Sequence, residues 1–391
     1  MSRFDQIIDR KNTKCYKWDY NKEIFGKEDL LSMWVADMDF QAPPEVLEIL
    51  NKRVDHGIFG YTGFTDSFYT SIINWIQNRF KWKIKKDWII ATPGIIPAIN
   101  FAIQTYTTKN DKILVQTPVY YPFFTSIKNN KRKLIVSELK LINDHYEMDF
   151  ADLEIKLTDD VKMMILCSPH NPVGRVWKLD ELKQVSELCL KHNVLLISDE
   201  IHSDLILSNN KHIPIPTISK EILNNSLTMF APSKTFNVAG LSLSFVVIPD
   251  KKIRGKFQKT LLNLGLHGGN TFGIEALEAS YTFGQKWLEE LLIYIEGNYI
   301  FVQQYLQNHI SQIKAVKMEG TYLLWLDCRK LNLSQEELVY FFINKAGLAL
   351  NDGAKFGKGG KGFMRMNIGC SRKLIEQALD QLAIAIKNIK M

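Results

Sequence analysis

From Trp88 onward the chain alternates short apolar runs with longer segments whose apolar residues recur every three or four positions. The runs at 88–91, 113–116, 163–167, 195–198, 227–230 and 244–248 predict strands. Most are apolar throughout instead of alternating, as in strands covered by helices on both faces. Between them, 96–105 follows a Pro-Gly turn, and 179–192 sets Leu179, Leu182, Val185 and Leu188 in a stripe. Both segments predict helices. Strand and helix in repetition predict an α/β domain on a mainly parallel sheet.

The last third changes character. One long helical stretch is expected over 272–308, followed by a strand at 322–327 and a helix near 335–346. A glycine-rich loop at 353–362, a strand at 363–368 and a closing helix from Arg372 complete it. These elements suit a smaller α+β domain. The first 45 or so residues are too few to fold alone and are expected to pack against it, which divides the chain at 1–45, 46–285 and 286–391.

Length agrees, since 391 residues exceed what one compact core usually holds. With 46% apolar and 23% charged residues, the chain is neither disordered nor fibrous. Its five cysteines (Cys15, Cys167, Cys189, Cys328, Cys370) are scattered, odd in number and free of any C-x-x-C pair. They read as reduced thiols, with Cys167 as core. The net charge of +7 is spread along the chain, with local clusters at 81–86 and 131–133. No nucleic-acid motif accompanies it, so it reads as solvated faces and as a background suited to anionic ligands. The N-terminus lacks the apolar stretch of a signal peptide, and no run approaches the ~18 apolar residues of a membrane span. A cytoplasmic location, with no membrane or nucleic-acid partner and no metal, is expected.

Open parallel sheets bind ligands beyond the carboxyl ends of their strands. Here those ends read Thr92-Pro93-Gly94, Thr117-Pro118-Val119-Tyr120, Ser168-Pro169-His170-Asn171-Pro172, Asp199-Glu200-Ile201-His202 and Pro232-Ser233-Lys234. Each residue has a plain reading and a chemical one. The Pro-Gly turn is an ordinary helix start, or its free amides cradle a phosphate. Tyr120 packs at a half-buried position, or stacks on a flat heterocycle. Asp199 caps the next segment, or keeps a pyridine nitrogen protonated. Lys234 is a solvated loop lysine, or a desolvated amine able to form an imine. Singly these signals are weak; in this order they are not.

The phrases SPHNPVGR at 168–175, DEIHSDL at 199–205, SKTFNVAGL at 233–241 and RMNIGC at 365–370 resemble the fold-type I pyridoxal phosphate (PLP) enzymes, the aspartate aminotransferase-like superfamily. The likeness runs from about Trp34 to the C-terminus. It implies a seven-stranded-type, mainly parallel sheet in a large PLP-binding domain, beside a smaller α+β domain. It further implies that Lys234 carries the cofactor as an imine, that Asp199 partners the pyridine nitrogen, and that Asn171 donates to the ring oxygen. Tyr120 would stack on the ring, while the amides of Ile95 and Ile96, with Ser233 nearby, would hold the phosphate. Arg365 would receive the substrate carboxylate, with Asn171 and Ala36 also at the substrate. Tyr61, in FGYTG, would reach the phosphate of a neighbouring subunit, which implies a homodimer.

Three departures narrow the resemblance. His202 stands where a tyrosine is usual and brings an imidazole expected to titrate near neutral pH. Ser242 replaces an arginine that holds the phosphate, and Ala231 replaces a phosphate-binding serine. With WVADMDF at 34–40, these features resemble the cystathionine β-lyase-like C–S lyase branch. The expected reaction is β-elimination from cystathionine or S-substituted cysteines. An aminotransferase, and a regulatory protein that keeps the fold without turnover, are the rival readings.

Overall fold

A computed structural model of the chain describes residues 2–207, 209–266 and 268–388. Its main sheet has seven strands, in the order Ile89–Thr92, Ser244–Val247, Ser226–Phe230, Leu195–Asp199, Val161–Cys167, Lys112–Thr117 and Lys133–Glu138. All run parallel except Ser244–Val247, which is antiparallel to both neighbours. The six predicted strands are present to within two residues at each end. Lys133–Glu138 was not expected: its apolar run is only Leu134–Val136, between charged ends, and it sits half-exposed at the sheet edge.

Helices cover both faces. Ile95–Tyr106 buries Ile95, Ala98, Ile99, Ala102 and Ile103 at the spacing of one helix face. Leu179–Lys191 forms as expected, but its buried stripe is Leu182, Val185, Ser186 and Cys189, while Leu179 is exposed. A strict spacing of three drifts about 60° backwards per step, so Leu179 turns out of the contact. Two helices before residue 88, Pro44–His56 and Asp66–Phe80, lay outside the expected pattern. The second is capped by Thr65, whose hydroxyl accepts from Phe68 N at 3.2 Å, and it buries Phe68, Ile72, Trp75 and Ile76.

A second sheet, of four strands, orders Lys314–Ala315, Leu323–Asp327, Phe363–Asn367 and Asn351–Asp352, and Arg372–Lys387 closes the chain. The N-terminal segment joins this part, since Leu31–Ser32 pairs in parallel with Leu348–Ala349. Further along, Asp39 is buried against Lys17 at 2.6 Å and Arg10 at 2.6 Å. Asn367 Nδ2 donates to the carbonyls of Val35 and Asp37, each at 2.6 Å. Asn237 Nδ2 donates to Phe40 O at 2.6 Å from the large-sheet side. Residues 34–40 are thus pinned between the two sheets.

The long helix expected over 272–308 is two helices, Thr271–Phe283 and Gln285–His309, that meet at Gly284. A Cβ there would stand 2.3 Å from the Phe236 ring and 2.4 Å from Ser280 O. Phe236 is fully buried two residues after Lys234. The joint therefore needs glycine for close packing. Gly284→Ala should cost about 1–3 kcal/mol through overpacking. That loss would read as a lower urea midpoint for the cofactor-free protein, and an unchanged midpoint would contradict the packing argument.

Candidate active site

The strand ends converge on a cavity of about 220 Å³ at the carboxyl edge of the large sheet. Tyr120, Asn171, Asp199, His202, Ser233 and Lys234 line it, together with Ile95, Ile96 and, from the N-terminal segment, Ala36.

Lys234 lies on the single turn Pro232–Thr235 that follows Ser226–Phe230. The turn is anchored by Asp204, which accepts from Thr235 Oγ1 at 3.1 Å, Trp75 Nε1 at 3.1 Å and Arg79 Nε at 3.2 Å. Lys234 Nζ donates to Ala36 O at 2.6 Å, and that carbonyl also accepts from Tyr322 Oη at 2.9 Å. Burial disfavours the ammonium and nearby Arg365 adds to this, outweighing Asp37 and Asp199, so the Lys234 pKa falls to about 8.

Asp199 ends Leu195–Asp199 and accepts from Ile201 N at 3.1 Å. Burial pushes its carboxyl up to about 7, with the Ile201 amide and Lys234 opposing and Glu200 reinforcing the rise. His202 differs from expectation: burial, helped by Lys234 and Arg365, pulls it down to about 3. Its imidazole is therefore neutral at physiological pH, and its Nδ1 is buried without a partner.

Asn171 is held by the rest of its own phrase. Arg175, at the end of SPHNPVGR, is fully buried and bonds Glu319 at 2.8 Å and Glu181 at 2.7 Å. Asn171 Oδ1 accepts from Arg365 Nη1 at 3.0 Å. An arginine can only donate, so this contact fixes the amide with its Nδ2 hydrogens turned away from Arg365. Arg365, on Phe363–Asn367, also donates from Nη2 to Trp34 O at 2.8 Å and to Asn351 Oδ1. Its guanidinium lies 5.0 Å from the Phe356 ring centroid. Burial lowers its pKa to about 10, which leaves it a cation.

At the other end of the cavity Gly94 precedes the helix Ile95–Tyr106 at φ 129°, where a side chain would be strained. Ala98 N makes the first intrahelical bond, to Gly94 O, and Pro97 has no N–H. The Ile95 and Ile96 amides are thus left as donors at a helix N-terminus. Ser244 Oγ steadies this turn, lying 2.8 Å from Thr92 Oγ1 and accepting from Gly94 N at 3.0 Å. Ser242, Ser233 and Ala231 also face the cavity. Burial raises the Tyr120 phenol to about 12, so its ring is neutral.

Cys167 belongs to the buried core as expected and is also a cavity wall, with its Sγ donating to Pro169 O at 3.4 Å and accepting from Asn171 N at 3.5 Å. Tyr61 is fully exposed; the contact expected of it lies with a neighbouring subunit. Tyr322, Asn367 and Asn351 passed unnoticed in the sequence. An amide or phenol beside apolar strand residues was the available signal, in GTYLLW and LALND.

The residues present suit PLP. Two amides without intrahelical bonds stand at a helix N-terminus that lines the cavity, and a lysine of lowered pKa feels both a buried carboxylate and a buried cation. An unpartnered His202 Nδ1 and the free Asn171 amide would serve a ring oxygen. Comparison with known proteins agrees: the model of the aminotransferase class I and II family matches residues 28–382. Cystathionine β-lyase PatB of Bacillus subtilis (strain 168) is 43% identical, over 98% of this chain and 99% of its own. Cystalysin from Treponema denticola, solved with pyridoxal 5′-phosphate, is 38% identical with a TM-score of 0.97, covering 100% of both chains. A PLP-bound chain from Clostridium difficile 630, described only as a candidate aminotransferase, is 48% identical with a TM-score of 0.96, over 98% of this chain and 99% of that one.

The state of Asp199 yields a test. The folded, cofactor-free protein holds this proton up to about pH 7, whereas an unfolded chain releases it near ~3.9. Raising the pH between those values therefore costs stability, by about 4 kcal/mol in all. Asp199→Asn should stabilise the cofactor-free protein, with an advantage about 2–3 kcal/mol larger at pH 8 than at pH 5. Urea unfolding at the two pH values checks this, and an equal gap at both would contradict the buried, protonated carboxyl.

Proposed function

Given that this chain belongs to the class I and II aminotransferase family, we propose that it is a PLP-dependent C–S β-lyase. It cleaves cystathionine or S-substituted cysteines to a thiol, pyruvate and ammonia. The observation that carries the reaction is the 43% identity to a cystathionine β-lyase along nearly the whole chain. The cavity supplies the parts the reaction needs.

When bound, the cofactor supplies an aldehyde carbon for an amine and a ring that draws electrons from the substrate Cα. Lys234 anchors it covalently. A pKa of about 8 leaves an appreciable neutral fraction near neutral pH, and the freed amine acts as general base on the Cα proton. Asp199 would keep the pyridine nitrogen protonated, and Asn171 Nδ2, with His202, would donate to the ring oxygen. The Ile95 and Ile96 amides and Ser233 take the phosphate, and Tyr120 covers the ring. Arg365 binds the substrate carboxylate, with Ala36 and Asn171 as the adjoining wall.

Elimination needs no second substrate, so the residues must hold one amino acid while its β-sulfur departs. A neutral His202 fits this role as a fixed hydrogen-bonding group and not as a proton switch.

The working enzyme is a homodimer in which Tyr61 of each subunit reaches the other's phosphate. Support comes from the exposed apolar residues Ile58, Phe59 and Tyr61, a surface suited to burial by a second copy. Free thiols at all five cysteines support a reducing, cytoplasmic setting. Among the described residues no helix is long and apolar enough to cross a membrane. The division at 1–45, 46–285 and 286–391 is proposed on the same footing, since the four-stranded sheet and the two-stranded pair of Leu31–Ser32 with Leu348–Ala349 lie outside the sequence range of the seven-stranded sheet.

An aminotransferase is the second reading, because both reactions share this cradle and the Clostridium difficile relative is described in that way. Incubation with an S-alkyl cysteine and no keto acid separates the two. The lyase should release pyruvate, ammonia and thiol in equal amounts over many turnovers. A halt after one turnover, relieved by added keto acid, would assign the aminotransferase reaction instead.

A further inference from the structure

Arg365 is a buried cation whose three acceptors, Asn171 Oδ1, Trp34 O and Asn351 Oδ1, are all uncharged. They use three of its five N–H donors, and Nε is buried without a partner. A desolvated guanidinium in this state keeps its charge unneutralised, and the ligand that relieves it is an anion. The identity of the third acceptor then matters. Asn351 lies directly across from Arg365 in the ladder between Asn351–Asp352 and Phe363–Asn367, and it is 6% exposed. The chain turns just beyond it at Gly353, where a Cβ would stand 2.2 Å from Phe363 O, so the backbone here has little room to shift. Phe356 covers the guanidinium at 5.0 Å. An aspartate at 351 would have nearly the same shape and would accept the same hydrogen bond. It would also cancel the charge. The neutrality of the amide is therefore the property that leaves Arg365 free for a ligand.

We propose that Asn351 is a positioning and specificity-determining residue, which orients the Arg365 guanidinium and, being uncharged, reserves its charge for the α-carboxylate of the substrate. This rests on the reading of Arg365 as the carboxylate receptor.

The test is calorimetric binding to the PLP-loaded protein, with two ligands that lack an α-amino group and cannot react. These are 3-(methylthio)propionate and its uncharged amide. The parent should prefer the carboxylate. Asn351→Asp should weaken the carboxylate at least tenfold and the amide less than threefold, with cofactor absorbance and melting temperature as in the parent. Asn351→Leu, which loses the acceptor but leaves the charge, should weaken the carboxylate three- to tenfold while keeping the preference for it. Undiminished carboxylate binding in Asn351→Asp, or equal weakening of both ligands, would overturn the proposal. Parent-like carboxylate affinity in Asn351→Leu would remove the positioning half of it. Arg365→Lys separates the underlying reading: unchanged carboxylate affinity there would refute Arg365 as receptor, whatever Asn351 does.

Discussion

At the carboxyl edge of the large sheet, Lys234, Asp199 and Arg365 are withdrawn from water, and each bonds only uncharged partners among the described residues. Withdrawal moves the lysine down to about 8, the aspartate up to about 7 and the arginine down to about 10. Displacements of this size amount to about 3–4 kcal/mol each. Stability lost in this way is what makes the cavity receptive. A lysine near neutrality is a nucleophile and base, a carboxyl short of a cation favours a protonated ring, and a cation short of an anion favours a carboxylate.

Holding such groups in place falls to residues with no direct part in the chemistry. Asp204 ties the lysine turn to the helix Asp66–Phe80, and Arg175 with Glu319 braces the loop that carries Asn171. The N-terminal segment 34–40 supplies two backbone acceptors, Trp34 O for Arg365 and Ala36 O for Lys234. It is itself fixed by Asn367, Tyr322 and Asn237. Residues far apart in sequence thus share one acceptor network. Both sheets contribute to it, so the site draws on the four-stranded sheet as well as the seven-stranded one.

Much of this was legible in the sequence. Largely apolar runs identified six of the seven large-sheet strands because a strand buried on both faces has no reason to alternate. The seventh, Lys133–Glu138, sits at the edge and carries no such mark. Strand-end phrases located Lys234, Asp199, Asn171 and Tyr120, since the carboxyl edge of a parallel sheet is the one place where several short polar phrases can meet. What escaped depends on tertiary contact. Gly284 breaks a helix only because Phe236 presses on it. The low pKa of His202 comes from burial beside two cations, which no local pattern records. Asn351 and Tyr322 gain meaning only from partners distant in sequence, Arg365 across the ladder and Ala36 in the N-terminal segment.

The central claim is that Lys234, its ammonium disfavoured by burial at the edge of the sheet, is the covalent anchor of the cofactor. Borohydride reduction of the yellow holoprotein, followed by digestion and mass mapping of the labelled peptide, tests it most directly. The account predicts one phosphopyridoxyl group per chain, on Lys234. A label on any other lysine, or none after reduction, would contradict it.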